Sequence, residues 1–237
     1  MTAREIFDHI HDFGIKNQNP AVVAKYQRYF KEGYDAYGLS QEQTASLVTG
    51  ILAMPGVDQA LVLETSILLA ASPKYEMTVI AIRLVLHYQK TWTTSTFNTV
   101  EKWFSVGITN WAQTDYICGE LMNLFFKKKL VSLDSIGLWR TAENKFQRRA
   151  AVVSLIKPMK ISTDFQPWFI FIEPMMHDPA REVHQGLGWF LRETWKKQPE
   201  VAEQFLLRFK DTAPRLIFQY ATERMTAEGK ERFRRGK

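Results

Sequence analysis

Apolar residues recur every three or four positions along almost the whole chain, and period-two alternation over the length of a strand is rare. From Ala3 to about Lys16, Ile6, Ile10 and Phe13 fall on one face of a helix. Pro20 suits the first position of the next helix, where a missing N–H costs little, and that helix carries Tyr26, Tyr29 and Phe30. Gly38 halts the stretch beyond them. Ser40 then caps a new helix, with Gln43 at the spacing of a capping box. The pattern predicts further helices at about 40–53, 57–72, 75–90, 94–104, 110–127, 144–156, 164–175, 180–196, 198–210 and 213–227. Turn signals separate them: Pro55-Gly56, Ser72-Pro73, Pro158, Asp178-Pro179, Gln198-Pro199 and Pro214.

Some of these helices, such as MTVIAIRLVL at 77–86, are apolar nearly all round, as befits the middle of a layered helical packing. The helices pair with a period of about 35–40 residues, the range of HEAT-type repeats. The expected fold is therefore all-α, a HEAT-like helical-repeat solenoid. No Pro-, Gly- or Ser-rich linker divides the chain, so a single domain over residues 1–237 is expected, with a short basic C-terminal tail, GKERFRRGK, that frays.

Composition narrows the classes of function. Hydrophobic residues make up 46% of the chain and charged residues 24%, the profile of a folded protein rather than a disordered one. The single cysteine, Cys118, excludes an internal disulfide framework and a CxxC zinc site, and fits a cytoplasmic setting. Charges scattered through MTAREIFDHIHDF argue against a signal peptide, and no run of about 18 apolar residues predicts a membrane helix. The five histidines form no HExxH motif, and no GxSxG, P-loop or GxGxxG is present, so no metal and no cofactor is expected. The net charge of +6 favours a polyanionic partner, because each neutralised phosphate releases a counterion.

Three stretches place polar chemistry on otherwise apolar helices. In Asn110-Trp111-Ala112-Gln113-Thr114-Asp115, Asn110 is a good N-cap with Gln113 at the reciprocal position. Trp111 and Asp115 then lie one turn apart on one face. A ring face and a carboxylate both attract positive charge, so the pair suits a cationic substrate. The plainer reading is a core tryptophan beside an ordinary early-helix acid. In Asn144 to Ala151, Arg148 and Arg149 point about 100° apart on a helix, so one can face inward while the other stays on a rim. Their planar forks suit phosphate; the plainer reading is a solvated basic helix start. In His184 to Glu193, Gly186 and Gly188 interrupt a helix at a cost of about 1 kcal/mol each against alanine. A close approach by a neighbouring helix or a ligand would explain them. Trp189 follows directly and Arg192 lies one turn on. Trp103, Trp139, Trp168 and Trp195 read as core or spine residues.

Taken in order, these stretches resemble the AlkD-like DNA alkylation-repair glycosylase family, and the resemblance covers most of the chain. It begins at Asn19-Pro20, Lys25-Tyr26-Gln27-Arg28-Tyr29-Phe30-Lys31 and Tyr37-Gly38-Leu39. It continues through Asn110-Trp111 and Asp115, through Trp139 and Asn144 to Ala151, and through Gly186 to Glu193. Phe146 stands where the family commonly has tryptophan. The resemblance implies a HEAT-like solenoid with duplex DNA in a concave basic groove, and hydrolysis of the N-glycosidic bond of cationic N3- or N7-alkylated purines. It implies catalytic roles for Trp111, Asp115, Trp189 and Arg149, and a DNA contact at Tyr29. Lys31, Arg148 and Arg192 are further expected phosphate contacts. The implied partner is double-stranded DNA with alkylated bases, met by a monomer without membrane or metal. Two alternatives stay open: a non-catalytic relative that binds damaged or branched DNA, and a helical-repeat protein-interaction scaffold.

Overall fold

The caps read from the sequence begin the helices where expected. In a computed structural model describing residues 1–31 and 33–235, all regular secondary structure is helical. The basic tail does not fray over its described part, where Phe233 is buried and its carbonyl accepts from Arg215 at 2.7 Å; its last two residues, Gly236 and Lys237, lie outside the described residues. Contacts divide the chain into two compact units with the boundary between Leu121 and Met122.

The first unit holds α1 (Ala3–Lys16), α2 (Pro20–Gln27), α3 (Gln41–Leu52), α4 (Gln59–Ala71), α5 (Tyr75–His87), α6 (Thr94–Val106) and α7 (Trp111–Ile117). Ser40 and Gln43 form the capping box at α3: the Gln43 N–H donates to Ser40 Oγ at 3.1 Å and the Ser40 N–H to Gln43 Oε1 at 2.8 Å. Thr2 and Glu5 do the same for α1, a box the periodicity alone did not reveal. α4, the most evenly apolar of these helices, packs on α1, α5 and α6. Ile6, Ile10, Ile51, Leu69, Met77 and Trp103 are buried around it. Trp103 spends its indole N–H on Ser66 Oγ at 3.3 Å, so the one polar atom of this core residue is satisfied.

The strap between α2 and α3 has no regular structure over its second half, yet it is firmly held. Buried Glu76, on α5, accepts from the backbone N–H groups of Tyr37 at 2.9 Å, Gly38 at 2.6 Å and Leu39 at 3.1 Å. Gly38 has φ +83°, and a Cβ there would collide with the Asn19 carbonyl. Tyr37 anchors the same strap, its hydroxyl 2.6 Å from His11 Nδ1. Burial, reinforced by the charges of Glu76, Asp35 and Asp12, pushes that hydroxyl up to about 12. After α7 the backbone widens into a π-helical turn over Cys118–Met122.

The second unit holds α8 (Asn123–Lys127), α9 (Lys145–Val153), α10 (Ile156–Met159), α11 (Gln166–Ile172), α12 (Arg181–Lys197), α13 (Pro199–Phe209), α14 (Arg215–Ala221) and α15 (Ala227–Glu231). Three predicted helices are shorter than their patterns. The segment at 144–156 breaks after Val153. That at 164–175 turns into a 3₁₀ helix at Glu173–His177, where Pro174 has no N–H to continue the ladder. That at 213–227 stops at Ala221, where Thr222 turns both its N–H and its hydroxyl onto the Phe218 carbonyl, at 2.9 and 2.8 Å. A 3₁₀ helix at Asp134–Thr141 was not anticipated; it buries Ile136 and Trp139.

α12 is the centre of this unit, packing on α9, α13 and α14. The two glycines explain how. A Cβ at Gly188 would overlap Tyr220 Cβ and lie 2.8 Å from the Ile217 carbonyl oxygen, both on α14. At Gly186 the nearest atoms are side-chain carbons of α9, Val153 at 3.3 Å and Arg149 at 3.5 Å. The close approach predicted for these positions is thus that of neighbouring helices. Gly188→Ala should destabilise the protein by about 1–3 kcal/mol, because Cβ meets backbone that cannot yield. Gly186→Ala should be milder, since its neighbours can shift and alanine is the better helix former. Urea unfolding of both variants checks the contrast; equal costs would contradict it.

α8 ends in a Schellman motif, with Leu130 N–H on the Phe125 carbonyl and Lys129 N–H on that of Phe126, both at 3.0 Å. The left-handed position belongs to Lys129, φ 57°, where glycine is usual. Lys129→Gly should therefore stabilise the protein by about 1 kcal/mol, read as a higher urea midpoint at unchanged slope. A lower midpoint would refute this.

Candidate functional site

α7 is positioned by its own first turn. Asn110 Oδ1 accepts from the Gln113 N–H at 2.9 Å. Gln113 Oε1 in turn accepts from the Thr109 N–H at 3.2 Å and the Asn110 side-chain amide at 2.9 Å. Gln113 Nε2 then donates to Thr78 Oγ1 on α5 at 2.8 Å. The predicted cap is present, and the buried glutamine extends it into a tie between helices.

That tie fixes Trp111 and Asp115 one turn apart. Trp111 is 37% exposed, and its indole N–H donates to the Tyr29 carbonyl at 3.3 Å. One face of its ring is covered by Phe30, with centroids 5.4 Å apart and planes 16° apart. Phe30 stacks in turn on Tyr34 at 4.4 Å and 16°, so Tyr34, Phe30 and Trp111 form a column of nearly parallel rings. Asp115, one turn further along α7, is half-buried. Tyr29 is exposed, with the Arg28 guanidinium over its ring at 4.8 Å and donating to its hydroxyl at 2.8 Å. Lys31 is also exposed.

The column borders a cavity of about 720 Å³ walled by α2, the strap, α5 and α7. Tyr26, Tyr29, Tyr75 and Tyr116 add further rings, and Arg83 of α5 contributes a guanidinium. Arg83 Nη1 donates to Thr44 Oγ1 at 2.8 Å and to the Gln41 carbonyl at 3.2 Å. Burial raises the Tyr34 hydroxyl well above its ordinary value, with Glu76 and the neighbouring phenols adding to it. Burial does the same to Tyr75, aided by Tyr116 and Glu76. Both hydroxyls are therefore protonated donors at neutral pH. Sequence reasoning missed this wall. The signal available was the density of tyrosine and phenylalanine between Tyr26 and Tyr37, in a segment interrupted by Gly33.

In the second unit Arg149, on α9, is only 5% exposed and donates from Nη1 to the Glu182 carbonyl on α12 at 2.7 Å. Arg148 does not take the solvent-facing rim position expected for one member of the pair. Its fork grips Asp178 at 2.7 and 3.2 Å, and Nη1 donates to the carbonyls of Ala142 and Glu143 at 2.8 and 3.0 Å. Trp189 is half-buried on α12. Arg192, one turn on, pairs through Nη1 with Glu223, while its Nε lies 3.6 Å from Glu193. Burial works to raise the Glu193 carboxyl, but the Lys196 hydrogen bond and the charges of Lys196, Lys160 and Arg192 hold it below the usual carboxylate range.

The first unit thus brings together Tyr29 and Trp111, with Asp115 on the same helix as the tryptophan. The second carries Arg148 and Arg149 on α9, and Trp189 and Arg192 on α12. Of the remaining tryptophans, Trp103 and Trp139 are buried, as core residues should be, whereas Trp168 and Trp195 are half-buried. Among the described residues, no group of three or more His, Cys, Asp or Glu could hold a metal ion, and no helix is long and apolar enough to cross a membrane.

Comparison with known proteins matches these features to a family. The family model described as DNA alkylation repair enzyme matches residues 15–225. Solved structures of similar fold include a predicted DNA alkylation repair enzyme from Enterococcus faecalis. It is 18% identical with a TM-score of 0.73, over 89% of this chain and 98% of that one. AlkD2 from Streptococcus mutans is also 18% identical, with a TM-score of 0.58 over 88% of this chain and 99% of its own. No curated protein matches in sequence. The all-α, HEAT-like helical-repeat fold read from the helix spacing is the fold of these neighbours. With the family model spanning nearly all of it, the chain belongs to the DNA alkylation repair enzyme family.

Proposed function

We propose that the protein is a monofunctional alkylpurine-DNA glycosylase, acting as a single-domain monomer in the cytoplasm on duplex DNA. The observation that carries the reading is the pair Trp111 and Asp115, held one turn apart by the Asn110–Gln113 cap, in a chain of this family.

The chemistry asks little of the protein. Alkylation at N3 or N7 leaves the purine cationic, so no general acid is needed. The bond from sugar C1′ to purine N9 breaks with its electron pair going to the base, which becomes neutral. The sugar is left with oxocarbenium character. Asp115 stabilises that charge and orients the water that adds at C1′, accepting its proton. An opposite charge at about 4 Å, at an effective dielectric near 20, is worth about 4 kcal/mol. The indole face of Trp111 attracts the cationic base, and Trp189, in the second unit, is a further proposed catalytic residue. Lys31, Tyr29 and Arg192 are the proposed contacts to the DNA backbone, while Arg149, expected to be catalytic, is buried on the Glu182 carbonyl and holds α9 to α12. Arg148, with its fork on Asp178, supports them by fixing the turn ahead of α12. No cofactor or metal takes part in this scheme.

One observation favours a second reading, a relative that binds DNA without cutting it: Phe30 covers one face of Trp111 and leaves less of the ring for a base. Base release from a duplex oligonucleotide with one N7-methylguanine separates the two. Release above the spontaneous rate supports the glycosylase. No release, with tight and salt-sensitive binding, supports the second reading. Absence of both removes DNA as the partner.

A further inference from the structure

The cavity of the first unit is walled by Trp111, Ala112 and Tyr116 of α7 but not by Asp115, and its chemistry is specific. About 720 Å³ lies within the range of pockets that enclose small organic ligands. Its wall combines three features. The first is the column of Tyr34, Phe30 and Trp111, whose planes lie 16° apart at each step. Rings so aligned present flat faces and edges of one orientation, the surface on which a planar heterocycle stacks. The second is Arg83. Its Nη1 is held by Thr44 and Gln41, which fixes the guanidinium in place, while Nε and Nη2 have no partner among the described residues. A fixed, half-engaged guanidinium is a ready anion site, and its fork geometry suits a phosphate. The third is a set of polar residues that also line the cavity: Ser40, Gln41 and the protonated hydroxyls of Tyr34 and Tyr75. These can bond the edge of a heterocycle.

An aliphatic ligand would gain burial but no stacking from aligned rings and would leave Arg83 unused, and a simple anion would leave most of the cavity unfilled. A planar base joined to a phosphate uses all three features. We infer that this pocket binds one nucleotide, its base against the aromatic wall and its phosphate on Arg83. Trp111 and Tyr29 belong both to this wall and to the proposed DNA contact, so a nucleotide unstacked from bound DNA is one source; a free mononucleotide is the other. The inference draws on the proposed function only for the choice between those sources.

The test measures affinity for three probes: dGMP, a fully paired duplex, and the same duplex with one unpaired guanine. Wild type is compared with Val79→Trp, which fills the cavity from α5, and Arg83→Gln, which removes the anion site. For a nucleotide drawn from DNA, the duplex with the unpaired guanine binds about tenfold tighter than the paired one, the gain of stacking one base. Val79→Trp then erases the preference without changing affinity for the paired duplex, and Arg83→Gln erases it too. For a free mononucleotide, neither duplex is preferred, but dGMP binds and both variants abolish its binding. The inference is overturned if wild type shows neither the preference nor dGMP binding, or if whatever it shows survives both variants. Two variants of opposite character guard against misfolding of either one, and unchanged melting temperatures verify them. Should the paired duplex fail to bind at all, DNA binding is refuted on its own, and the dGMP titration still decides the pocket.

Discussion

Asp115→Asn should slow release of N7-methylguanine about a thousandfold while changing duplex affinity by about twofold or less. The magnitude follows from charge alone. Asparagine has the shape of aspartate and fits the same place on α7, whose first turn is set by Asn110, Gln113 and Thr78. What is lost is the negative charge facing a sugar that turns cationic in the transition state. About 4 kcal/mol of attraction at 4 Å corresponds to about three decades in rate. The ground state holds its positive charge on the base and its binding energy on the phosphates, so affinity is spared. Single-turnover base release, with filter binding on the same oligonucleotide, measures both. A variant that keeps more than about a tenth of the rate would remove Asp115 from the chemistry.

The largest effect on stability is expected at Glu76. Glu76→Ala should cost about 3–5 kcal/mol, the range for removing one partner of a buried charge network. The buried carboxylate is the acceptor for three backbone N–H groups of the strap, at Tyr37, Gly38 and Leu39. Alanine leaves all three donors in an interior without water, at about 1–3 kcal/mol each before relaxation. Against a total stability of about 5–15 kcal/mol this is a large share. Glu76→Gln should fall between, since one oxygen still accepts while the amide opposes a donor. Urea unfolding gives the totals. Hydrogen exchange at Tyr37, Gly38 and Leu39 locates the loss, because these amides should open before the rest of the protein. A cost below about 1 kcal/mol for Glu76→Ala would mean that the strap is held by something else.

Asp115 and Glu76 differ greatly in how visible they are in the sequence. Helices were legible because a 3.6-residue period repeats over many positions, and because Ser40, Asn110 and Pro20 announce their own starts. Ends were less legible. Nothing local marks the stop at Ala221, which depends on Thr222 bonding back to Phe218. Trp111 and Asp115 were legible as a pair because i and i+4 share a face. The partner of Trp111 was not: Phe30 lies 81 positions earlier and was read, with Tyr29, as part of the helix from Pro20, which in fact stops at Gln27. Glu76 was hidden by a helix that looked uniformly apolar from Met77 onward, and its role depends on a strap nearly 40 positions away. Arg148 and Arg149 are adjacent on α9 but take different partners, Asp178 and the Glu182 carbonyl. Sequence could not show that Asp178 lies within reach of the first, since pairing over 30 positions is set by packing rather than by pattern.

The π-helical turn carries the chain's only cysteine, Cys118, with the residue 2% exposed. Proteins of this family work where DNA has met alkylating electrophiles. Such reagents take thiolates readily, because sulfur is the softest nucleophile a protein offers. Burial keeps this one thiol out of reach of the agents that damage the DNA. The protein can then persist through the exposure that creates its task, without suffering the same modification at sulfur.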